Sequence, residues 1–471
     1  MIMRLLIVED NEDFVRTLVE IMKQLDPEVT YIVEDSKQSA LARIDAEFFD
    51  LIVLDLNIPT ISGAPDGDRA HGYAVFADAR VAAPGTPLIV LTGSPAEEYF
   101  PSLLKESNNS DIWGGQVRLP VVAFHQKHKL DSFPHVLEAY VKQLIELKGI
   151  EINRNGVLLS DAEERLVRIF ARQSDSTKVS LSQITSGFSG ARVLRLRVTN
   201  ANGVLIHDTV CKIGDQKDIQ DEDQKYQKYV SRLPPEATPR KLATLEYGGK
   251  KTSAVFYGLA KDFSLSANNF LDDNKSPNNV IKRLEQLLFQ WITTGESRKM
   301  VGEIRCRLLN DEKYRDLARC PAWSNNLEKQ EIQVKWGIAH GDLHTLNILI
   351  SEHGFPILID YGDVGEGPSS LDPVTLELCL FFHPQGVLRG SEWPTIIQAK
   401  KWGDLDAYLA GCPYPEFIRA CREWALRIAA GEREVAAVAY SYLIRQLKYP
   451  ETDAVRAAAL LEGTKAYYDQ T

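Results

Sequence analysis

The sequence predicts an α/β domain with a doubly wound parallel sheet, followed by an α+β domain of two lobes whose second lobe is mostly helical. Three observations predict this. Four short apolar runs in the first 124 residues each lead into a residue able to carry chemistry, with helix-like segments between them. A strand, a Gly-rich turn, a strand and a Lys-bearing strand then follow one another over residues 179–213. From Pro277 onward apolar residues recur mostly at helical spacing.

The first run, residues 3–8, has the pattern of a buried strand and ends in Glu9-Asp10; Leu51 to Leu54 ends in Asp55, and Leu88 to Leu91 ends in Thr92. Leu119 to Phe124 is followed closely by Lys127. Asp13 to Leu25, Ser36 to Ala46 and Phe133 to Lys148 read as helices. Strands alternating with helices imply a parallel sheet whose ligands gather at the carboxyl ends of the strands. Three carboxylates, a hydroxyl and an amine at those ends make an acidic pocket closed by a cation.

This layout resembles the response-regulator receiver family, a flavodoxin-like fold, over residues 1–148. The resemblance implies that Glu9, Asp10 and Asp55 bind Mg²⁺ and that Asp55 is the phosphoacceptor, charged by a sensor histidine kinase. It gives Thr92 and Lys127 the phosphoryl oxygens; Lys129 stands as the other candidate amine, because the family's usual Lys-Pro pair is absent. Asn57-Ile58-Pro59 matches the segment after the acceptor, and Phe124 falls at the switch-aromatic position. Two departures stand out. Residues 60–71 lengthen the loop after Asp55 by roughly nine residues, and residues 94–117 add about a dozen after Thr92. Both border the pocket and are expected to cover the acceptor or contact the next domain.

Residues 149–176 form a linker and an amphipathic helix. Ser160 and Glu163 make a capping box ahead of Leu166, Val167, Ile169 and Phe170 on the apolar side. Such a helix either transmits a signal or packs on the next domain, here a small lobe at 177–262. In that lobe Gly187, Phe188, Ser189 and Gly190 form a turn whose glycines allow backbone to approach phosphate, although a plain hairpin turn has the same composition. Lys212, on the following strand pair, suits the α/β phosphates of a nucleotide. Glu222, in the charged stretch from Asp218 to Val230, is either the partner of Lys212 or part of a solvated acidic face. Ala254 to Leu259 reads as the last small-lobe strand and hinge.

The lobe at 263–471 carries His340-Gly341-Asp342, with Asn347 five residues after Asp342 and Asp360 thirteen beyond Asn347. Ile348 to Ile350 and Phe355 to Ile359 read as two short strands around Glu352-His353-Gly354. One Asp to orient or deprotonate a hydroxyl, and an Asn and an Asp to hold Mg²⁺ on ATP, are what phosphoryl transfer of the protein-kinase type requires. The pattern resembles the aminoglycoside phosphotransferase/choline kinase family, a bilobal protein-kinase-like fold with an HGD…N loop and an IDY-G metal turn. That resemblance makes Asp342 the catalytic base and Asn347 and Asp360 magnesium ligands. It makes His340 structural, His344 a loop residue, and Asp372 the brace of the loop.

Hydrophobic content of 44%, charged content of 25% and a net charge of −11 describe an ordinary globular chain without general affinity for nucleic acid or anionic membrane. No basic helix-turn-helix follows the first domain, which sets aside a DNA-binding regulator. Six scattered cysteines without metal spacing, no signal peptide and no run of about eighteen apolar residues point to a cytoplasmic protein with reduced thiols. The expected function is a phosphorelay response regulator whose output is an ATP- and Mg²⁺-dependent phosphotransferase. Its acceptor is a hydroxyl on a small molecule or protein, and phosphorylation of Asp55 regulates it. The alternative is a regulator whose kinase-like half senses nucleotide or docks a protein without catalysis.

Overall fold

The structure, a computed structural model, describes residues 1–93, 109–183, 191–259, 265–272, 277–293, 295–351 and 353–471. The chain forms two compact units, residues 1–220 with 241–259, and residues 221–240 with 260–471. Among the described residues no helix is long and apolar enough to cross a membrane.

The first unit begins with β1 (Arg4–Val8), α1 (Glu12–Leu25), β2 (Thr30–Glu34), α2 (Lys37–Ala46), β3 (Leu51–Asp55), α3 (Arg69–Ala82) and β4 (Leu88–Thr92). It continues with β5 (Asn109–Ser110), β6 (Leu119–Pro120), β7 (Val122–Gln126) and α4 (Phe133–Lys148). The sheet order is β2-β1-β3-β4-β7, parallel throughout. Both faces are covered, which is why β1, β3 and β4 are unbroken apolar runs. Leu5, Ile7, Leu51, Val53 and Ile89 face α1 and α4, whereas Leu6, Val8, Ile52, Leu54 and Val90 face α2 and α3.

Two elements differ from the sequence expectation. β2 carries no unbroken apolar run, because it is the edge strand and stays half-exposed. The fourth apolar run breaks at Pro120, which has no N–H for a ladder; Leu119–Pro120 pairs instead with Asn109–Ser110, and the sheet strand starts at Val122.

After α4 come β8 (Glu151–Asn153), α5 (Asp161–Gln173), β9 (Lys178–Gln183), β10 (Arg192–Thr199), β11 (Leu205–Asp215), α6 (Gln216–Lys228), β12 (Lys241–Leu245) and β13 (Thr252–Gly258). The strands form one sheet in the order β12-β13-β11-β10-β9-β8, antiparallel except for β8 beside β9. The capping box forms: Ser160 N donates to Glu163 Oε2 at 2.8 Å and Glu163 N to Ser160 Oγ at 3.3 Å. Leu166, Val167, Ile169 and Phe170 then join a single apolar core with Leu144 and Leu147 of α4 and Leu181, Leu196 and Phe256 of the second sheet. Phe170 stacks on Phe256 at 3.9 Å.

Two arginines of α5 are buried as well. Arg165 pairs with Asp50 at 2.5 Å, and Arg168 donates to the Leu147 carbonyl at 3.1 Å. The described end of the second insertion packs here too: Ile112 and Trp113 are buried, and Arg172 donates to the Trp113 carbonyl at 3.2 Å. Residues 94–108 of that insertion lie outside the described residues. In the first insertion, Asp66 accepts from both the backbone and the hydroxyl of Thr60.

The second unit contains β14 (Leu265–Ser266), α7 (Ala267–Asp272), α8 (Pro277–Leu287), β15 (Glu296–Met300), α9 (Val301–Leu308), α10 (Asp311–Arg315), α11 (Ser324–Leu327) and β16 (Glu331–Ala339). Next are β17 (Ile348–Ile350), β18 (Pro356–Leu358), β19 (Gly365–Pro368), α12 (Leu371–Phe382), α13 (Ile396–Ala399) and α14 (Leu405–Leu409). The chain ends in α15 (Pro415–Ile428), α16 (Glu432–Gln446) and α17 (Ala454–Gln470). β14-β17-β18 and β15-β16-β19 are small antiparallel sheets. The second sheet is absent from the sequence expectation; β16 emerges from it directly into His340. Around α12, α15 and α16 lies a buried core in which Glu377 accepts Arg422 at 2.5 Å and Trp402 at 2.7 Å.

Candidate functional site

Glu9 and Asp10 follow β1 and Asp55 ends β3, so neighbouring parallel strands deliver all three carboxylates to one sheet edge. Their ligand oxygens lie within 4.8 Å of one another. Lys127, immediately after β7, bridges Glu9 at 2.7 Å and Asp55 at 2.8 Å, its ammonium over the Phe14 ring. It is Lys127 and not Lys129 that meets the carboxylates: the Lys129 backbone carbonyl accepts from His125 Nε2 at 3.0 Å, in the turn leading to α4. Thr92, buried, ends β4 one strand away, and Phe124 is half-buried on β7. An all-oxygen set of three carboxylates fits a hard divalent cation such as Mg²⁺.

Burial, and then the charge of Asp55, push the Glu9 carboxyl up to about 7. Burial raises Asp55 as well, with Lys127 opposing it. A carboxyl raised on folding contributes stability that is complete below its unfolded value and is lost as pH rises through its folded value, here between 4.5 and about 7. A cation at this site competes with that proton. Mg²⁺ affinity of the full chain is expected to rise about tenfold between pH 6 and 8, and Glu9→Gln to flatten the rise. Calorimetric titration at both pH values checks this, and equal affinities for the wild type would contradict it.

In the second unit, Asp372 at the start of α12 accepts His340 N at 2.8 Å and Gly341 N at 3.0 Å, one on each carboxylate oxygen. The buried His340 ring donates from Nε2 to the Ile359 carbonyl at 3.1 Å. Asn347 donates Nδ2 to the Asp342 carbonyl at 2.9 Å, and its own carbonyl accepts Ile359 N at 3.0 Å. Asp342, Asn347 and the turn bearing Asp360 are thereby tied into one frame. Gly341 has φ +83°, and a Cβ there would stand 2.4 Å from the Asp363 carbonyl, so the position needs glycine. Asp360 itself holds φ +65°, a left-handed conformation that costs a non-glycine residue energy and is typical of functional turns. The donor set fits a metal: the amide of Asn347 spends its N–H₂ on the loop, which leaves its oxygen to accompany the Asp360 carboxylate.

Sequence reasoning missed Arg445. It lies inside an apolar helical run, in the last turn of α16, and its Nη1 reaches Asp342 Oδ1 at 3.2 Å. His344 is a loop residue as expected, with Nε2 3.7 Å from Asp342 Oδ2 and its ring 4.4 Å from that of His383. Burial, and then His344, lower His383 to about 4, so that ring is neutral at physiological pH.

Lys212 is buried on β11, between Val193 and Val255 of the adjacent strands, in the first unit. Glu222 belongs to the second unit and is 2% exposed, so the solvated-face reading of it does not hold. The second-unit half of α6 packs on the Asp360 turn: Tyr226 meets Tyr361 edge-on at 5.6 Å, and Lys225 donates to the Gly362 carbonyl at 2.5 Å. Gly187, Phe188, Ser189 and Gly190 lie outside the described residues.

Residues 5–110 match the family model of the response regulator receiver domain. The N-terminal part of the chain is a receiver domain. Among solved structures, the chain is similar to a CheY-like response regulator receiver domain protein from Methanospirillum hungatei JF-1, at 21% identity and a TM-score of 0.23, covering 31% of this chain and 99% of that one. Beyond the receiver it is similar to aminoglycoside phosphotransferase APH(4)-Ia, at 12% identity and a TM-score of 0.38, covering 64% of this chain and 97% of that one. It is also similar to the macrolide 2′-phosphotransferase MphH from Brachybacterium faecium, at 15% identity and a TM-score of 0.33, covering 59% and 91%. No curated protein matches the sequence. Beyond the receiver the chain carries a mainly antiparallel sheet bearing Lys212 and, in the second unit, a helical region bearing the braced Asp342 loop.

Proposed function

We propose that this chain is a response regulator whose output is an ATP- and Mg²⁺-dependent phosphotransferase acting on a hydroxyl-bearing acceptor, under control of Asp55 phosphorylation. The observation that carries the reading is the frame in which Asp372, His340 and Asn347 hold Asp342 beside the Asp360 turn. Asp342 accepts the proton of the acceptor hydroxyl as its oxygen attacks the γ-phosphorus; the bond to the bridging oxygen breaks and ADP leaves. Asn347 and Asp360 would hold magnesium, which supplies charge neutralisation on the nucleotide phosphates. Lys212, with Gly187, Phe188, Ser189 and Gly190, would bind the phosphates. The working boundaries are a receiver at 1–148, a linker helix at 149–176, a small lobe at 177–262 and a large lobe at 263–471.

In the receiver, Asp55 takes the phosphoryl group from a sensor histidine kinase. The phosphorus–nitrogen bond of the donor breaks as a carboxylate oxygen bonds to phosphorus, and Thr92 and Lys127 hold the phosphoryl oxygens. Glu9, Asp10 and Asp55 would hold the magnesium that offsets the charge gained. The route outward runs through the core shared by α4, α5 and the Lys212 sheet. Acetyl phosphate is expected to change the wild-type turnover roughly fivefold or more, and to leave Asp55→Ala unaffected. Identical wild-type rates with and without acetyl phosphate would remove the coupling but not the chemistry.

A further inference from the structure

Arg445 is a guanidinium set into a buried helix end with little to satisfy it. Most of α16 is buried from Glu434 to Ile444, and the Arg445 side chain is 18% exposed. Among the described residues its guanidinium gives one hydrogen bond, from Nη1 to Asp342 Oδ1 at 3.2 Å. The remaining N–H groups form a planar fork matched to a carboxylate or phosphate. The carboxylates acting on Arg445, His344 and His383 are Asp342, Asp360 and Asp363, all on the catalytic and metal turns; the Tyr449 and Tyr442 phenols act on Arg445 as well. The end of α16 and the turns after α12 bring Arg445, Arg389 and the neutral His383 to this place and no carboxylate among those acting groups. A cationic acceptor would compete with Arg445 for Asp342, whereas an anion would take the N–H groups that Asp342 leaves unused.

We infer that Arg445 is the specificity-determining residue of the acceptor pocket, and that the acceptor is a hydroxyl compound carrying an anionic group, carboxylate or phosphate, near the hydroxyl it presents to Asp342. The inference deepens the phosphotransferase reading and rests on it for the word acceptor; the anion site itself does not. The test uses the full chain, with Arg445→Ala and Arg445→Lys, whose folding is verified by thermal melting. Calorimetry measures binding of glycerate, glycerol 3-phosphate, inorganic phosphate and a cationic amino sugar, and coupled ADP release measures turnover with the same hydroxyl compounds.

At least one of the anionic hydroxyl compounds should bind the wild type, and Arg445→Ala should weaken it tenfold or more, with Arg445→Lys between the two. Where that compound is turned over, the loss should appear in KM. Arg445-dependent anion binding with no phosphoryl transfer from ATP would uphold the site and overturn the phosphotransferase reading. Anion binding that is absent or indifferent to Arg445→Ala, binding of inorganic phosphate alone, or turnover of the amino sugar in its place would overturn the inference, whatever the ATP chemistry.

Discussion

Asp342→Ala is expected to lower phosphoryl transfer from ATP by ~10²–10⁴-fold, the range over which a positioned general base acts. The loop around it should survive the change. Its shape is held by Asp372 through the backbone N–H groups of His340 and Gly341, and by Asn347 through the backbone carbonyl of Asp342, none of which uses the Asp342 side chain. Nucleotide affinity should therefore stay close to wild type in Asp342→Ala and fall in Asp360→Ala, whose carboxylate is a proposed magnesium ligand. Steady-state ADP release together with nucleotide titration separates the two. Undiminished turnover in both variants would sink the enzymatic reading.

Asp50→Ala is expected to cost about 3–5 kcal/mol of stability, because it strands a buried guanidinium. Arg165 and Asp50 are each 3% exposed, and they meet through two hydrogen bonds, at 2.5 and 2.9 Å. Asp50 also accepts Arg4 N at 2.9 Å. Removing the charge at both ends should be far milder, so Asp50→Ala with Arg165→Met is expected to recover most of the loss. Because one apolar core joins the receiver sheet, α5 and the second sheet, the loss should appear across the whole first unit as one cooperative transition. Urea unfolding followed by tryptophan fluorescence measures it; a change below about 1 kcal/mol for Asp50→Ala would mean the pair does not join the elements as argued.

Much of the fold was legible because its signals are local. α4 spans Phe133–Lys148 and α5 starts behind the Ser160–Glu163 capping box, since helical periodicity and caps depend only on near neighbours. The central strands β1, β3 and β4 were legible because strands covered on both faces must be apolar throughout. β2 and the β15-β16-β19 sheet were not, because an edge strand or a partly exposed one is recognised by its partner and not by its own composition. The break at Pro120 was present in the sequence but read through, because the residues around it are apolar.

At the sites the division is sharper. Residue type, spacing and family resemblance singled out Glu9, Asp10 and Asp55 with either Lys127 or Lys129, and Asp342, Asn347 and Asp360, because each chemistry restricts which side chains can serve and the motifs set their separations along the chain. Tertiary structure alone chose Lys127 over Lys129, buried Glu222, turned Arg165 and Arg168 inward, and brought Arg445 from α16 to Asp342 across 103 residues of chain. A spacing argument covers residues whose geometry a single loop or strand end determines. It says nothing of a guanidinium whose neighbour is decided by how a helix packs against a loop far away along the chain.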